Sequence, residues 1–393
     1  MKNTFNTNKD TYLEWGAVSL RKYGEELAGD KVEVVYRGEE ITLVLSDGLG
    51  SGVKANILAT LTSKMLATML ANGIPIIDCV ESILETLPVC KVRNVAYSTF
   101  SIIHLNQDGE GMLFEFDAPQ AILLRNGKSV DFPREEMNVQ GRLVNKTHLK
   151  LQDGDAIVNM SDGVMHAGIG TVLNFGWGHE EIVSYMEDIY DEKYSARALA
   201  AHLGKAAREL YLDKMGDDTT IACVKFRKKQ EVNLLVGPPI EKEMDNTVCQ
   251  NFLGKEGIHI VCGGTSSTII ARHLGEEIET SLDFPDREIP PIGFIKGIDL
   301  TTEGVVTLRR LLLLAEEYLA IGNVEDKHTK KKDGASLLSN MLFEKATHVN
   351  FHVGRSVNAA HTGEIGHTMK LMIIDKLAGE LELMGKIVSI EYH

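Results

Sequence analysis

EITLVLSDGLGSG, residues 40–52, decides how the first half of the chain is read. The run from Glu40 to Ser46 is apolar and β-branched and stops at Asp47-Gly48, the pattern of a buried strand that ends in a tight turn. An aspartate at a strand end has a fixed backbone and a short side chain, so several such residues can converge at little entropic cost. The glycine beside it lets the backbone approach a ligand closely and present a carbonyl oxygen. Two more turns share this design: Ser161-Asp162-Gly163 after AIVNM (156–160), and Asp217-Asp218 before TTIACVKF (219–226). Mg²⁺ and Mn²⁺ prefer carboxylate, carbonyl and water oxygens, and these turns can supply them. A lone Asp-Gly is an ordinary β-turn. Asp108-Gly109 and Asp153-Gly154, each in a polar loop between strands, are read that way.

Working outward, strands are expected over 13–21 and 32–36, then helices over 55–71 and 76–86, split by Asn72-Gly73 and Pro75. Short strand-like runs recur over 96–104, 111–116, 121–125, 128–132, 147–151 and 156–160, with turn signals between them. This is an antiparallel meander rather than alternating βα units. Helices over 180–191 and 195–212 and a strand over 220–226 complete the region, and Arg227-Lys228-Lys229 opens a linker. Beyond Val232 the texture changes. Strands over 233–236, 259–262, 348–353 and 386–392 alternate with helices over 267–274, 302–319 and 369–383, the pattern of a separate α/β domain. The expected division is therefore 1–230 and 231–393.

A length of 393 residues suits two domains. Apolar residues at 44% and charged residues at 25% are those of an ordinary globular protein. No apolar run is long enough for a membrane span, and the polar start MKNTFNTNKDTYLEWG lacks a signal-peptide core, so a cytoplasmic protein is expected. The net charge of −15 argues against nucleic acid as a partner. Cys79, Cys90, Cys223, Cys249 and Cys262 form no CxxC pair. They read as reduced structural thiols and argue against a zinc site. His348, His352, His361 and His367 have spacings that match no standard ligand set.

Taken together, SDGLGSG (46–52), SDGV (161–164) and GDDTT (216–220) resemble the metal motifs of the metal-dependent (PPM) serine/threonine phosphatases, in the bacterial branch typified by stage II sporulation protein E. GEELAGD (24–30) resembles an upstream segment of that branch, and YSTFSIIHLN (97–106) and FEFDAPQAILLRNG (114–127) match its central strands. The resemblance covers about residues 12–228. It implies an α/β/β/α sandwich, two divalent ions (Mn²⁺ or Mg²⁺), and hydrolysis of phosphoserine or phosphothreonine on a regulatory protein. Carried over residue by residue, it implies that Asp47 bridges both ions, that the Gly48 carbonyl binds the second, and that Asp162 completes the coordination of the first. Asp217 is the last ligand if Thr220 sets the register, with Asp218 beside it; Asp30 would orient a metal-bound water. The helices over 53–86 stand where that branch has a switch. Where the family's third strand turns at Gly-His or Gly-Asn, this chain has Asp117-Ala118-Pro119, and only Arg21 is a candidate to hold substrate phosphate.

His166, four residues after Asp162, reads first as a surface side chain, with proton donation as the alternative. In the second domain, HIVC (259–262) runs into Gly263-Gly264-Thr265-Ser266 and a helix, so that helix start is a candidate anion site or a plain turn and cap. This α/β domain is expected to sense a ligand or dock a partner, and a homodimer is allowed for. A non-catalytic regulator with a phosphatase fold is the rival reading.

Overall fold

Apolar alternation organises the first unit. Strand β1 (Thr11–Leu20) is followed by β2 (Asp30–Arg37), β3 (Glu40–Gly48), α1 (Gly52–Ala71), α2 (Ile76–Thr86), the short pair β4 (Val89–Cys90) and β5 (Val95–Ala96), and then β6 (Ser98–Asn106), β7 (Glu110–Phe116), β8 (Ile122–Arg125) and β9 (Lys128–Ser129). The chain continues through β10 (Glu135–Val139), β11 (Arg142–Lys150), β12 (Ala156–Met160), α3 (Asp162–Met165), α4 (His179–Ile189), α5 (Ala196–Leu210) and β13 (Thr219–Lys228). This computed structural model describes residues 10–86, 89–90, 95–96, 98–281, 286, 288–320, 332–356 and 364–393. The chain forms two units, Met1–Lys228 and Lys229–His393.

The first unit holds two antiparallel sheets, ordered β10-β11-β7-β6-β3-β2 and β1-β13-β12-β8-β9. On β3, Ile41, Leu43 and Leu45 point between the sheets, meeting Ile103, Leu113, Ile157 and Val224. Val44 points the other way, with Phe100, Ile102 and Phe114, onto Leu66 and Leu70 of α1 and Val80 and Ile83 of α2. Burial on both faces explains the unbroken apolar run of β3. Beyond the other sheet lies α5, which passes so close to β1 that a Cβ at Gly16 would sit 2.3 Å from the Arg197 backbone. The layers are thus α/β/β/α. The first and last strands of the unit pair over their full length, Thr11 opposite Lys228 and Leu20 opposite Thr219.

One element departs from the sequence reading. The hairpin β10–β11 replaces an expected loop, and its turn is Gln140-Gly141, both left-handed (φ 53° and 81°). β10 is mostly exposed and, among the described residues, pairs only with β11, so no apolar alternation marks it. In α1, the larger apolar side chains near its start are not the buried ones. The inner face carries the small residues Ala55, Ala59 and Ser63 with Leu66 and Leu70, whereas Val53, Ile57, Leu61 and Met65 are exposed. Small side chains let the helix backbone approach β3 closely.

The second unit comprises β14 (Glu231–Val236), α6 (Asp245–Leu253), β15 (Ile258–Cys262), α7 (Gly264–Leu274), β16 (Glu279–Thr280), β17 (Gly293–Phe294), β18 (Leu300–Thr302), α8 (Val305–Leu319), α9 (Gly334–Ser339), β19 (His348–Val353), α10 (Glu364–Leu383) and β20 (Ile387–Tyr392). Its sheet order is β16-β17-β18-β15-β14-β19-β20. From β18 to β20 the strands are parallel, so in chain order they run third, second, first, fourth, fifth. That is a doubly wound α/β sheet. One face packs on α8, α9 and α10 through Leu308, Leu338, Ile374 and Leu377. The other packs on α6 and α7 through Leu235, Val261, Phe252 and Ile270.

Candidate active site

The acidic turns gather at one edge of the first unit because strand pairing carries them there. Asp30 opens β2 directly opposite Asp47 at the end of β3. In the other sheet, β12 and β13 are neighbours, with Met160 opposite Ile221. The segments that follow Met160 and precede Thr219 therefore emerge side by side, bringing Asp162 to Asp217 and Asp218. Asp108 lies at the opposite edge: its turn follows Asn106, the partner of Glu40 at the start of β3. Asp153 precedes β12 and likewise falls at that far end.

Serines brace the acidic edge, Ser161 across the two sheets and Ser98 within one of them. Ser161 Oγ donates to Asp30 Oδ2 at 2.7 Å and accepts from the Thr220 N–H at 2.8 Å. Ser98 Oγ donates to the Asp47 carbonyl at 2.9 Å and lies 2.8 Å from Ser46 Oγ. The sequence reading missed both roles, although a serine precedes the aspartate in each Ser-Asp-Gly. Glycine is required by close approach. A Cβ on Gly48 would fall 2.1 Å from the Ala55 carbonyl oxygen of α1, and one on Gly163 would fall 2.0 Å from the Asp218 carbonyl oxygen.

Asp162, His166 and Asp217 each place a donor atom within 4.8 Å of the others. His166 Nδ1 lies 3.4 Å from Asp217 Oδ2 and 3.8 Å from Asp162 Oδ1. His166 is thus half-exposed, as a surface side chain would be, yet part of the cluster. Burial pushes the Asp47 carboxyl up to about 10, and the charges of Asp30, Asp162 and Asp217 add to the effect. Asp30 is pushed up to about 7, chiefly by burial, against the hydrogen bonds from Ser161 and Thr220. Asp218 Oδ1 accepts from the Lys22 N–H at 2.9 Å. Asp218 Oδ2 and Asp30 Oδ1 are buried with no hydrogen-bond partner among the described residues. Carboxylates that crowd one another and hold orphaned oxygens are a donor set that hard divalent cations fit. Arg21 is turned to its own loop, donating to the Glu26 carbonyl at 2.7 Å.

In the second unit, Gly263 ends β15 with φ 113°, and α7 starts at Gly264. Gly263 has no side chain to cap the first turn of the helix, which includes Thr265 and Ser266. Space beside Gly264 is open, and Ser266 Oγ is buried without a partner among the described residues. His348 and His352 lie on β19. His361 and the side chain of His367 fall outside the described residues.

Residues 37–227 match the family model described as Stage II sporulation protein E (SpoIIE). The curated Stage II sporulation protein E of Bacillus subtilis (strain 168) is 25% identical over 168 residues, covering 41% of this chain and 20% of its own length. The chain therefore matches about a fifth of that relative. Among solved structures, the PP2C phosphatase domain with a regulatory fragment of Bacillus subtilis SpoIIE aligns with a TM-score of 0.48 at 18% identity, covering 56% of this chain and 64% of that one. The RsbU and RsbW domains of a Mycobacterium tuberculosis protein align with a TM-score of 0.46 at 20% identity, covering 61% and 66%. The part of the chain similar to these proteins, residues 37–227, falls within the first unit.

Proposed function

We propose that the first unit hydrolyses phosphoserine or phosphothreonine on a regulatory protein. The observation that carries this reading is the convergence of Asp30, Asp47, Asp162 and Asp217 at one sheet edge, with carboxyls so crowded that Asp47 is held far above its ordinary range. Asp47, Asp162 and Asp217 would hold two divalent ions, Mn²⁺ or Mg²⁺, with the Gly48 carbonyl and Asp218 alongside. Such ions, when bound, supply a hydroxide at neutral pH and neutralise the phosphoryl oxygens. Asp30, fixed by Ser161, would accept a hydrogen bond from the attacking water and so orient it. His166 Nδ1, at the rim, can deliver a proton to the leaving serine or threonine oxygen. Because Gly48 rests against Ala55, the position of α1 bears on the geometry of Asp47, which supports a switch role for α1 and α2. The second unit would sense a small anion at the α7 start, including Gly263, Gly264, Thr265 and Ser266, or dock a partner.

The test is Mn²⁺-dependent turnover of a generic phosphate ester by the full chain. Asp47→Asn should abolish it while Asp108→Asn leaves it unchanged. Near-normal turnover in Asp47→Asn would overturn the two-metal assignment, and no turnover by the wild-type chain would favour the non-catalytic regulator.

A further inference from the structure

A second cluster of metal-ligand type lies in the second unit, on a part of the chain that the phosphatase reading does not use. β19 and β20 are parallel neighbours with His352 opposite Glu391. Side chains opposite one another in such a pair leave the sheet on the same face, and His393, two residues on, shares that face. His393 is held there by its backbone: its N–H donates to the Val353 carbonyl and its own carbonyl accepts from the Arg355 N–H, both at 2.9 Å. One donor atom each from His352, Glu391 and His393 lies within 4.8 Å of the other two. His352 Nδ1 is 3.7 Å from Glu391 Oε2, and the two imidazole rings lie parallel, 2° apart in plane with centroids 5.8 Å apart.

The independent observation is an unmet need at the same atoms. His352 is 1% exposed, and neither Nδ1 nor Nε2 has a hydrogen-bond partner among the described residues. Nε2 of His393 is also buried and unpartnered. A neutral imidazole has one donor and one acceptor, and leaving either unmet in the interior carries a desolvation cost. Aromatic contact does not remove that cost, because Phe252 meets the His352 ring edge to face, with centroids 5.6 Å apart. Glu391, half-exposed at the sheet edge, closes the cluster toward solvent.

We propose that His352, Glu391 and His393 form a binding site for a borderline divalent transition metal, Zn²⁺ in the first instance. Two imidazoles and a carboxylate are a nitrogen-rich set that zinc, cobalt and nickel favour over magnesium and calcium. Ligands about 2.0–2.1 Å from a tetrahedral zinc lie about 3.3 Å apart. The His352–Glu391 pair is already near that spacing, so closure needs side-chain rotation and no movement of the strands. Three protein ligands leave a fourth position open to water or an anion, on the solvent side where Glu391 stands. No cysteine takes part, which is why thiol spacing gave no sign of the site.

The test is a Zn²⁺ and Co²⁺ titration of the full chain by calorimetry and absorption, in excess Mg²⁺ to fill the oxygen-rich cluster of the first unit. One equivalent should bind, with the visible bands of four-coordinate Co²⁺. His352→Ala and His393→Ala should remove that equivalent, and Glu391→Gln should weaken it at least tenfold. His273→Ala, on α7, should leave it intact. Cooperative unfolding of His393→Ala and Glu391→Gln without metal, matching wild type, guards against a folding defect. Absence of the Mg²⁺-resistant equivalent, or its survival in both histidine variants, would overturn the proposal.

Discussion

Ser161 and Asp30 belong to different sheets, and the 2.7 Å hydrogen bond between them ties the two sheets at the acidic edge. Ser161 also accepts from the Thr220 N–H, so one hydroxyl meets two buried polar groups. Ser161→Ala strands both of them. A loss of about 1–3 kcal/mol of stability is expected for buried groups left unpaired. Urea unfolding of the first unit's transition in the full chain measures it, and Ser161→Thr should recover part of the loss. An alanine variant as stable as wild type would mean that the hydroxyl bridge contributes nothing.

Asp217 and Asp218 are adjacent but differently employed. Asp217 faces His166 and is part-exposed, whereas Asp218 is buried and accepts a backbone N–H from Lys22. Asp217→Ala should lower Mn²⁺-dependent turnover at least a hundredfold with little change in unfolding midpoint. Asp218→Ala should lower the midpoint as well, because the Lys22 N–H loses its acceptor. If Asp218→Ala proved the more damaging to turnover at equal stability, the ligand would be Asp218.

Gly48 is the contact point between α1 and the strand that carries Asp47. Gly48→Ala places a methyl group against the Ala55 carbonyl and forces one element to move. A destabilisation of about 1–3 kcal/mol is expected from overpacking. Mn²⁺ affinity should fall by more than that of Gly141→Ala, a glycine with open space around it. Equal metal affinity in the two variants would uncouple α1 from the site.

His348 provides a pH signature in the second unit. Burial, aided by the charge of Lys229, pushes its imidazole down to about 4, against an opposing pull from Glu231. A folded-state value below the unfolded one means that the unfolded chain binds the extra proton. The stabilising difference is complete above about pH 6.5 and is lost progressively as the pH falls from there to about 4. The slope approaches about 1.4 kcal/mol per pH unit. His348→Gln should flatten the fall in stability over this window, as read from chemical unfolding at stepped pH. An unchanged slope would place the proton elsewhere.

Legibility from sequence followed burial. β3 was visible because both faces are apolar and an Asp-Gly turn ends it. The hairpin at Gln140-Gly141 was not, since β10 turns polar side chains outward and pairs with one neighbour. α1 was visible as a helix, but which face it buries was not, because that face is chosen by small residues that fit against Gly48 rather than by its larger apolar ones. The acidic turns stood out as strand-end carboxylates. The serine that joins them across sheets did not, because a hydrogen bond between residues 30 and 161 leaves no local pattern. The cluster of His352, Glu391 and His393 was hidden for a related reason: it depends on which strands pair, and histidine spacing along one strand carries no record of that.

The pairing of Thr11–Leu20 with Thr219–Lys228 sets a timetable for synthesis. Among the described strands of the first unit, the earliest to be synthesised has the latest as its sheet neighbour. At roughly 5–20 residues per second, β1 waits on the order of ten seconds or more for its partner. During that wait its apolar side chains have no sheet to join, and such long-range closure is intrinsically slow. The nascent first unit is therefore a natural client for chaperones until residue 228 has emerged, and an mRNA truncated just short of that point would yield a product with an open sheet edge.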